Sequence, residues 1–99
     1  MGDPLKLLLI DDDEIDRGTF KRYLKAFPGD IFSILEFETG EAGLEYCSRQ
    51  KPDCMLLDYS LPDLSGLDFI SQLENTSFPI LMLTGQGDEK IAVEAMKMG

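Results

Sequence analysis

Ninety-nine residues, 43% hydrophobic and 28% charged, suffice for one domain, 1–99, with a modest core and no room for a second. Nineteen acidic against nine basic residues give a formal charge of -10, which argues against nucleic acid or anionic membrane surfaces as partners. Histidine is absent, so any chemistry must rest on carboxylates, hydroxyls and backbone groups.

The opening "MGDPLK" lacks the apolar region of a signal peptide, and Lys6 stands where an N-myristoylation signal carries Ser or Thr. No stretch approaches the roughly 18 apolar residues that span a bilayer. Cys47 and Cys54 form no C-x-x-C pair and sit among apolar neighbours, so both are expected as reduced, partly buried thiols in a cytoplasmic protein.

The first apolar run, "LKLLLI", ends at Ile10 and has the length and aliphatic content of a strand. It gives way to Asp11, Asp12, Asp13 and Glu14; the last two are expected as acids of a first helical turn. The helix that follows places Ile15, Phe20, Tyr23, Leu24 and Phe27 largely on one face, is weakened by Gly18 and is broken by "PGD".

"IFSILEFE" reads as a second strand with the alternation of a sheet edge, and a helix from near Thr39-Gly40 carries Leu44 and Cys47. "CMLLD", ending at Asp58, is a third strand, and a third helix after Ser65 carries Leu67, Ile70 and Leu73. "PILMLT", ending at Thr84, is a fourth strand, and a fourth helix opens at Asp88 as N-cap with Ile91, Ala92, Ala95 and Met96.

Strands alternating with helices predict βαβ units, a mainly parallel sheet and helices on both faces. In such sheets ligands bind beyond the carboxyl ends of the strands, near the point where strand order reverses. Asp11, Asp12, Asp58 and Thr84 all fall at strand ends. Three carboxylates on one rim resist joint ionisation unless a cation lies among them, and all-oxygen ligation favours a hard ion such as Mg²⁺, with Mn²⁺ as a substitute.

These motifs, in this order and spacing, resemble the receiver domain of two-component response regulators, the CheY-like family. "LLLIDDDE" resembles the family's first strand with its acidic pair, "LLDYSLPDLSGLDFI" its phosphoacceptor segment with Pro62 and Gly66 in a D-x-x-x-P-x-x-x-G loop, and "PILMLTGQGDEKIAVEAMKMG" its fourth strand and helix. The resemblance implies a flavodoxin-like three-layer α/β/α doubly wound sheet, here (βα)4 with strand order 2-1-3-4. It implies Asp58 as phosphoacceptor and Mg²⁺ held by Asp11, Asp12, Asp58 and the backbone carbonyl of Ser60. It further implies Thr84 as switch hydroxyl, Gly85 as backbone of the phosphoryl pocket, and the Ser60 and Gln86 side chains flanking the hydrolytic water. The expected partner is a sensor histidine kinase or histidine-phosphotransfer protein, since this chain has no histidine to donate from.

The family carries a fifth strand ending in a lysine and a fifth helix, whereas this sequence ends at Gly99 after the fourth helix. The expectation is a receiver domain incomplete at its C-terminus, whose fourth-strand edge is covered by a second copy through edge pairing or a domain-swapped dimer. The alternative function is a receiver remnant acting as a non-phosphorylated structural or dimerisation module. A turnover enzyme of the haloacid-dehalogenase type is disfavoured, because "DYS" places Ser60 where D-x-D requires an acid, and "GQGDEK" lacks the third glycine of a dinucleotide loop.

Overall fold

The computed structural model describes residues 3–29, 31–73 and 77–83. Along the chain lie β1 (Leu5–Ile10), α1 (Glu14–Lys25), β2 (Phe32–Phe37), α2 (Gly40–Arg49), β3 (Cys54–Asp58), α3 (Gly66–Gln72) and β4 (Ile80–Leu83). The four strands form one parallel sheet, as the alternation of apolar runs and helices predicts, in the order β2-β1-β3-β4 that the family resemblance implies. The fourth helix expected from Asp88 lies outside the described residues.

β1 is covered on both sides, and its side chains divide by parity. Leu7 and Leu9 join Phe20 and Leu24 of α1, whereas Leu8 and Ile10 join Phe69 of α3, with Leu44 and Cys47 of α2 packed against them. Period-2 alternation thus feeds two cores from one strand, with α1 on one face and α2 and α3 on the other. Right-handed crossovers require this division: β1-α1-β2 moves outward in one direction, while β2-α2-β3 and β3-α3-β4 move in the other.

β1 and β3 are therefore neighbours whose chains leave in opposite directions, and the carboxyl ends of these two strands define the topological switch point. β2 is the edge strand that its alternation predicts, with Phe32, Ile34 and Phe37 half-buried between exposed residues. Cys47 and Cys54 are free and half-buried, as expected.

Two helix faces differ from the sequence expectation. Ile15 is 78% exposed and Tyr23 lies at the margin of the buried stripe, which instead runs through Arg17, Phe20 and Leu24. At about 100° per residue, Ile15 lies about 140° around the helix from Phe20. Leu67 is 58% exposed because the buried face of α3 is centred on Phe69, about 160° away.

Gly66 opens α3 immediately beside the end of β3, and its N–H donates to the Tyr59 carbonyl at 2.7 Å. A Cβ there would lie 3.1 Å from Tyr59 Cα and 3.2 Å from the Asp58 carbonyl oxygen, both backbone atoms with little room to yield. Helix propensity alone favours alanine by up to about 1 kcal/mol, so the contact and the propensity oppose each other. We expect Gly66→Ala to lose about 1–2 kcal/mol net in urea unfolding; a gain in stability would show that this backbone approach is not limiting.

Candidate functional site

Asp11, Asp12 and Asp13 form the short turn between β1 and α1. The Asp11 N–H continues the ladder to the Phe37 carbonyl at 3.0 Å, and Asp11 Oδ1 accepts from the Asp13 N–H at 2.9 Å. Asp13 is the N-cap of α1, its Oδ1 accepting from the N–H groups of Ile15 at 2.8 Å and Asp16 at 3.4 Å. Asp13 is thus the cap and not the first-turn acid the sequence suggested, because the helix begins one residue later, and Glu14 follows in the first turn as expected.

Asp58 ends β3, where Tyr59 extends the strand pairing by donating to the Leu83 carbonyl at 2.8 Å. Its Oδ1 accepts from the Ser60 N–H at 3.1 Å. Asp11, Asp12 and Asp58 each bring a carboxylate oxygen within 4.8 Å of the others, with Asp11 buried, Asp58 half-buried and Asp12 exposed. Among the sequence-predicted site residues, the structure thus brings these three together, with the Ser60 N–H on Asp58; Thr84, Gly85 and Gln86 lie outside the described residues.

The proximity has an electrostatic cost. Burial, followed by the charges of Asp58, Asp16 and Asp12, pushes Asp11 up to about 6 against the opposing Asp13 N–H bond. Asp58 is also raised, by burial first and then by the charge and hydrogen bond of Asp12 and the charge of Asp13, against the Ser60 N–H. The rim holds more negative charge than its surroundings solvate, which is the environment a divalent cation relieves.

Sequence reasoning missed Arg17 and Asp63. Arg17 is 7% exposed; its guanidinium donates from Nη1 to the Asp11 carbonyl and from Nε to Glu36 Oε1 at 3.1 Å, and Nη2 lies 3.6 Å from Glu38. Lys21 reaches the same Glu36 at 3.0 Å, and its hydrogen bond, opposed by burial and aided by Arg17, holds the Glu36 carboxyl below its ordinary pKa. A signal for Arg17 existed: it stands three and seven residues before Phe20 and Leu24, on their stripe.

Asp63, in the loop after Asp58, accepts from the N–H groups of Gly40 at 2.9 Å and Glu41 at 2.8 Å at the start of α2. Burial raises its pKa, yet the donors Glu41 and Gly40, with its own N–H and that of Leu64, together hold it below the usual carboxylate range.

A doubly wound parallel sheet of order 2-1-3-4, with acids gathered at the ends of its two central strands, defines a flavodoxin-like receiver fold. The response regulator receiver domain family matches residues 7–99, and the chain belongs to that family. The transcriptional regulatory protein SrrA of Staphylococcus aureus is 33% identical over 95 residues, covering 95% of this chain; the chain spans 38% of that curated relative's length. Among solved structures, a response regulator receiver domain protein from Clostridium thermocellum is 28% identical, with a TM-score of 0.69 over 96% of this chain and 76% of its own. A CheY-like receiver domain protein from Methanospirillum hungatei shares the fold at 16% identity, with a TM-score of 0.71 over 97% of this chain and 93% of its own. Receiver domains are signalling modules of two-component systems that interact with histidine kinases or phosphotransfer proteins and bind Mg²⁺ at an acidic cluster. Among the described residues no helix is long and apolar enough to cross a membrane.

The raised Asp11 makes a signed prediction for stability without divalent cations. Between about pH 4, the unfolded carboxylate value, and about 6, the folded chain retains a proton that the unfolded chain has lost. The stability contributed by that proton is complete below about pH 4 and is lost as pH rises through 6. Asp11→Asn keeps the Oδ1 acceptor for the Asp13 N–H, so in chelator at neutral pH it should be more stable than the parent by about 1–3 kcal/mol. Urea unfolding across pH should show the two curves converging near pH ~4; parallel curves would mean that Asp11 is not held protonated.

Proposed function

We propose that Asp58 is the phosphoacceptor of this receiver domain, taking a phosphoryl group from the phosphohistidine of a sensor histidine kinase or phosphotransfer protein. The observation that carries the reading is the convergence of Asp11, Asp12 and Asp58 at the switch point between β1 and β3. A non-phosphorylated structural module gives no reason for three mutually repelling acids on one rim, so it is the less supported alternative.

The donor set fits a hard divalent ion: it is all oxygen, and the chain has no histidine to bias the site towards softer metals. Asp11, Asp12, Asp58 and the Ser60 carbonyl are the groups that would hold Mg²⁺, or Mn²⁺ in its place. When bound, the cation would offset the charge that builds on the transferring phosphoryl oxygens.

Asp58 supplies the nucleophile. With Oδ1 held by the Ser60 N–H, the other carboxylate oxygen is the one left to attack phosphorus. The O–P bond to Asp58 forms as the N–P bond of the donor breaks, and the imidazole departs with the electron pair and takes a proton from solvent. Hydrolysis reverses the charge: water attacks phosphorus, the O–P bond breaks, and Asp58 returns as carboxylate with inorganic phosphate released. The Ser60 and Gln86 side chains are assigned to flank that water, Thr84 to act as switch hydroxyl and Gly85 to leave room for the phosphoryl group, all on motif position.

The test is intact mass after incubation with acetyl phosphate, with and without Mg²⁺. We expect a gain of one phosphoryl group that requires Mg²⁺ and is lost in Asp58→Asn; no gain in the parent protein sinks the reading. Cation uptake must displace the Asp11 proton, so Mg²⁺ affinity measured by calorimetry should fall as pH drops through about 6, approaching about tenfold per pH unit. A flat affinity between pH ~5 and ~7 would remove Asp11 from the ligand set.

A further inference from the structure

Arg17 is a buried cation to which the phosphotransfer reading gives no task. It lies on the buried stripe of α1, in line with Phe20 and Leu24, where an apolar residue would continue the core. Its side chain is 9% exposed, so the guanidinium has given up water and must be compensated within the fold. The compensation comes from two directions: Glu36 at the end of β2, with Glu38 just beyond it, and the carbonyl of Asp11 at the end of β1.

The Asp11 contact carries the argument. The Asp11 carbonyl and the Asp12 N–H belong to one planar peptide unit, so a bond that fixes the carbonyl fixes the plane from which Asp12 departs. The other side of Asp11 is already pinned by its N–H on Phe37, and its carboxylate by the Asp13 N–H. Arg17 therefore closes the set of contacts that orients the turn bearing two of the three clustered carboxylates. The guanidinium is itself anchored, because Glu36 is held from its other side by Lys21.

We infer that Arg17 is a positioning residue for the cation site: through the Asp11–Asp12 peptide it holds both carboxylates of the β1–α1 turn in the arrangement that faces Asp58. This rests on the reading of Asp11 and Asp12 as cation ligands. The role belongs to the shape of the side chain more than to its charge. Nε and Nη1 of one rigid plane meet acceptors on β2 and in the β1–α1 turn, whereas a lysine ammonium carries a similar charge on one atom at the end of a flexible stem. Charge is also matched locally, by Glu36 and Glu38.

Groups that orient metal ligands typically contribute about 10- to 100-fold in metal affinity, which sets the expected scale. The experiment is calorimetric titration of Mg²⁺ into the parent protein, Arg17→Lys, Arg17→Met and Leu24→Ala, with the folded fraction of each fixed by circular dichroism. Leu24 lies in the α1 core on the same helix, so Leu24→Ala measures what loss of stability alone does to affinity. We expect both Arg17 variants to bind Mg²⁺ at least about tenfold more weakly per folded molecule, with Leu24→Ala within about threefold of the parent. If Arg17→Met does not fold, Arg17→Lys carries the comparison. Parent-like affinity in Arg17→Lys shows that charge suffices and overturns the positioning role, as does an equal loss in Leu24→Ala. Failure of the parent protein to take up Mg²⁺ overturns the cation reading, and this inference with it.

Discussion

Mutual repulsion among Asp11, Asp12 and Asp58 is the constraint around which the described fold is arranged. Left alone, three carboxylates this close would move apart or take up protons, and the charges of Asp58 and Asp12 add to burial, the larger cause, in raising the Asp11 pKa. What prevents the first is the sheet. β1 and β3 are hydrogen-bonded neighbours in fixed parallel register, with Ile10 opposite Leu57, so the residues that follow them emerge side by side. Burial of Leu7 to Ile10 and of Met55 to Leu57 holds that register, because a one-residue slip would exchange the contents of the two cores. Apolar packing thus supplies the free energy that keeps the like charges together.

The backbone around each acid is organised to the same end. Asp11 has its N–H, carbonyl and one carboxylate oxygen engaged, and Asp58 has Oδ1 engaged by the Ser60 N–H. Asp13, next in sequence, is drawn off to cap α1. One run of acids therefore divides into a helix cap and members of a charge cluster, by virtue of where the strand ends and the helix begins.

The parallel sheet and the convergence of these carboxylates at its rim were legible in the sequence because they rest on long-wavelength features, whereas the strand order came with the family resemblance. Apolar runs such as "LKLLLI" and "CMLLD" have unambiguous length, and the parallel-sheet rules then leave few arrangements. The helix faces were less legible. Counting apolar residues assigned Ile15 and Leu67 to the core, although angular position removes both; Phe69, between Leu67 and Ile70, was passed over. Arg17 escaped notice because a charge on a helix is ordinarily solvated, and its burial depends on Glu36 and on a carbonyl six residues before it, contacts that no local pattern encodes. Thr84, Gly85 and Gln86 have only their motif to speak for them.

The hydrogen bonds from the start of α2 to Asp63 bear on how this domain opens and closes. The amide hydrogens of Gly40 and Glu41 find their acceptor 23 and 22 residues further along the chain, not in a neighbouring side chain. Helix α2 cannot complete its first turn in this form until β3 has docked and the loop beyond Asp58 has come across to meet it. Conversely, these two amides become open to solvent exchange when that loop lets go, even if the rest of the helix stays folded. The Asp63 carboxylate thus ties the segment that carries Asp58 to the start of the helix beside it, alongside the packing of Leu64 against Gly40.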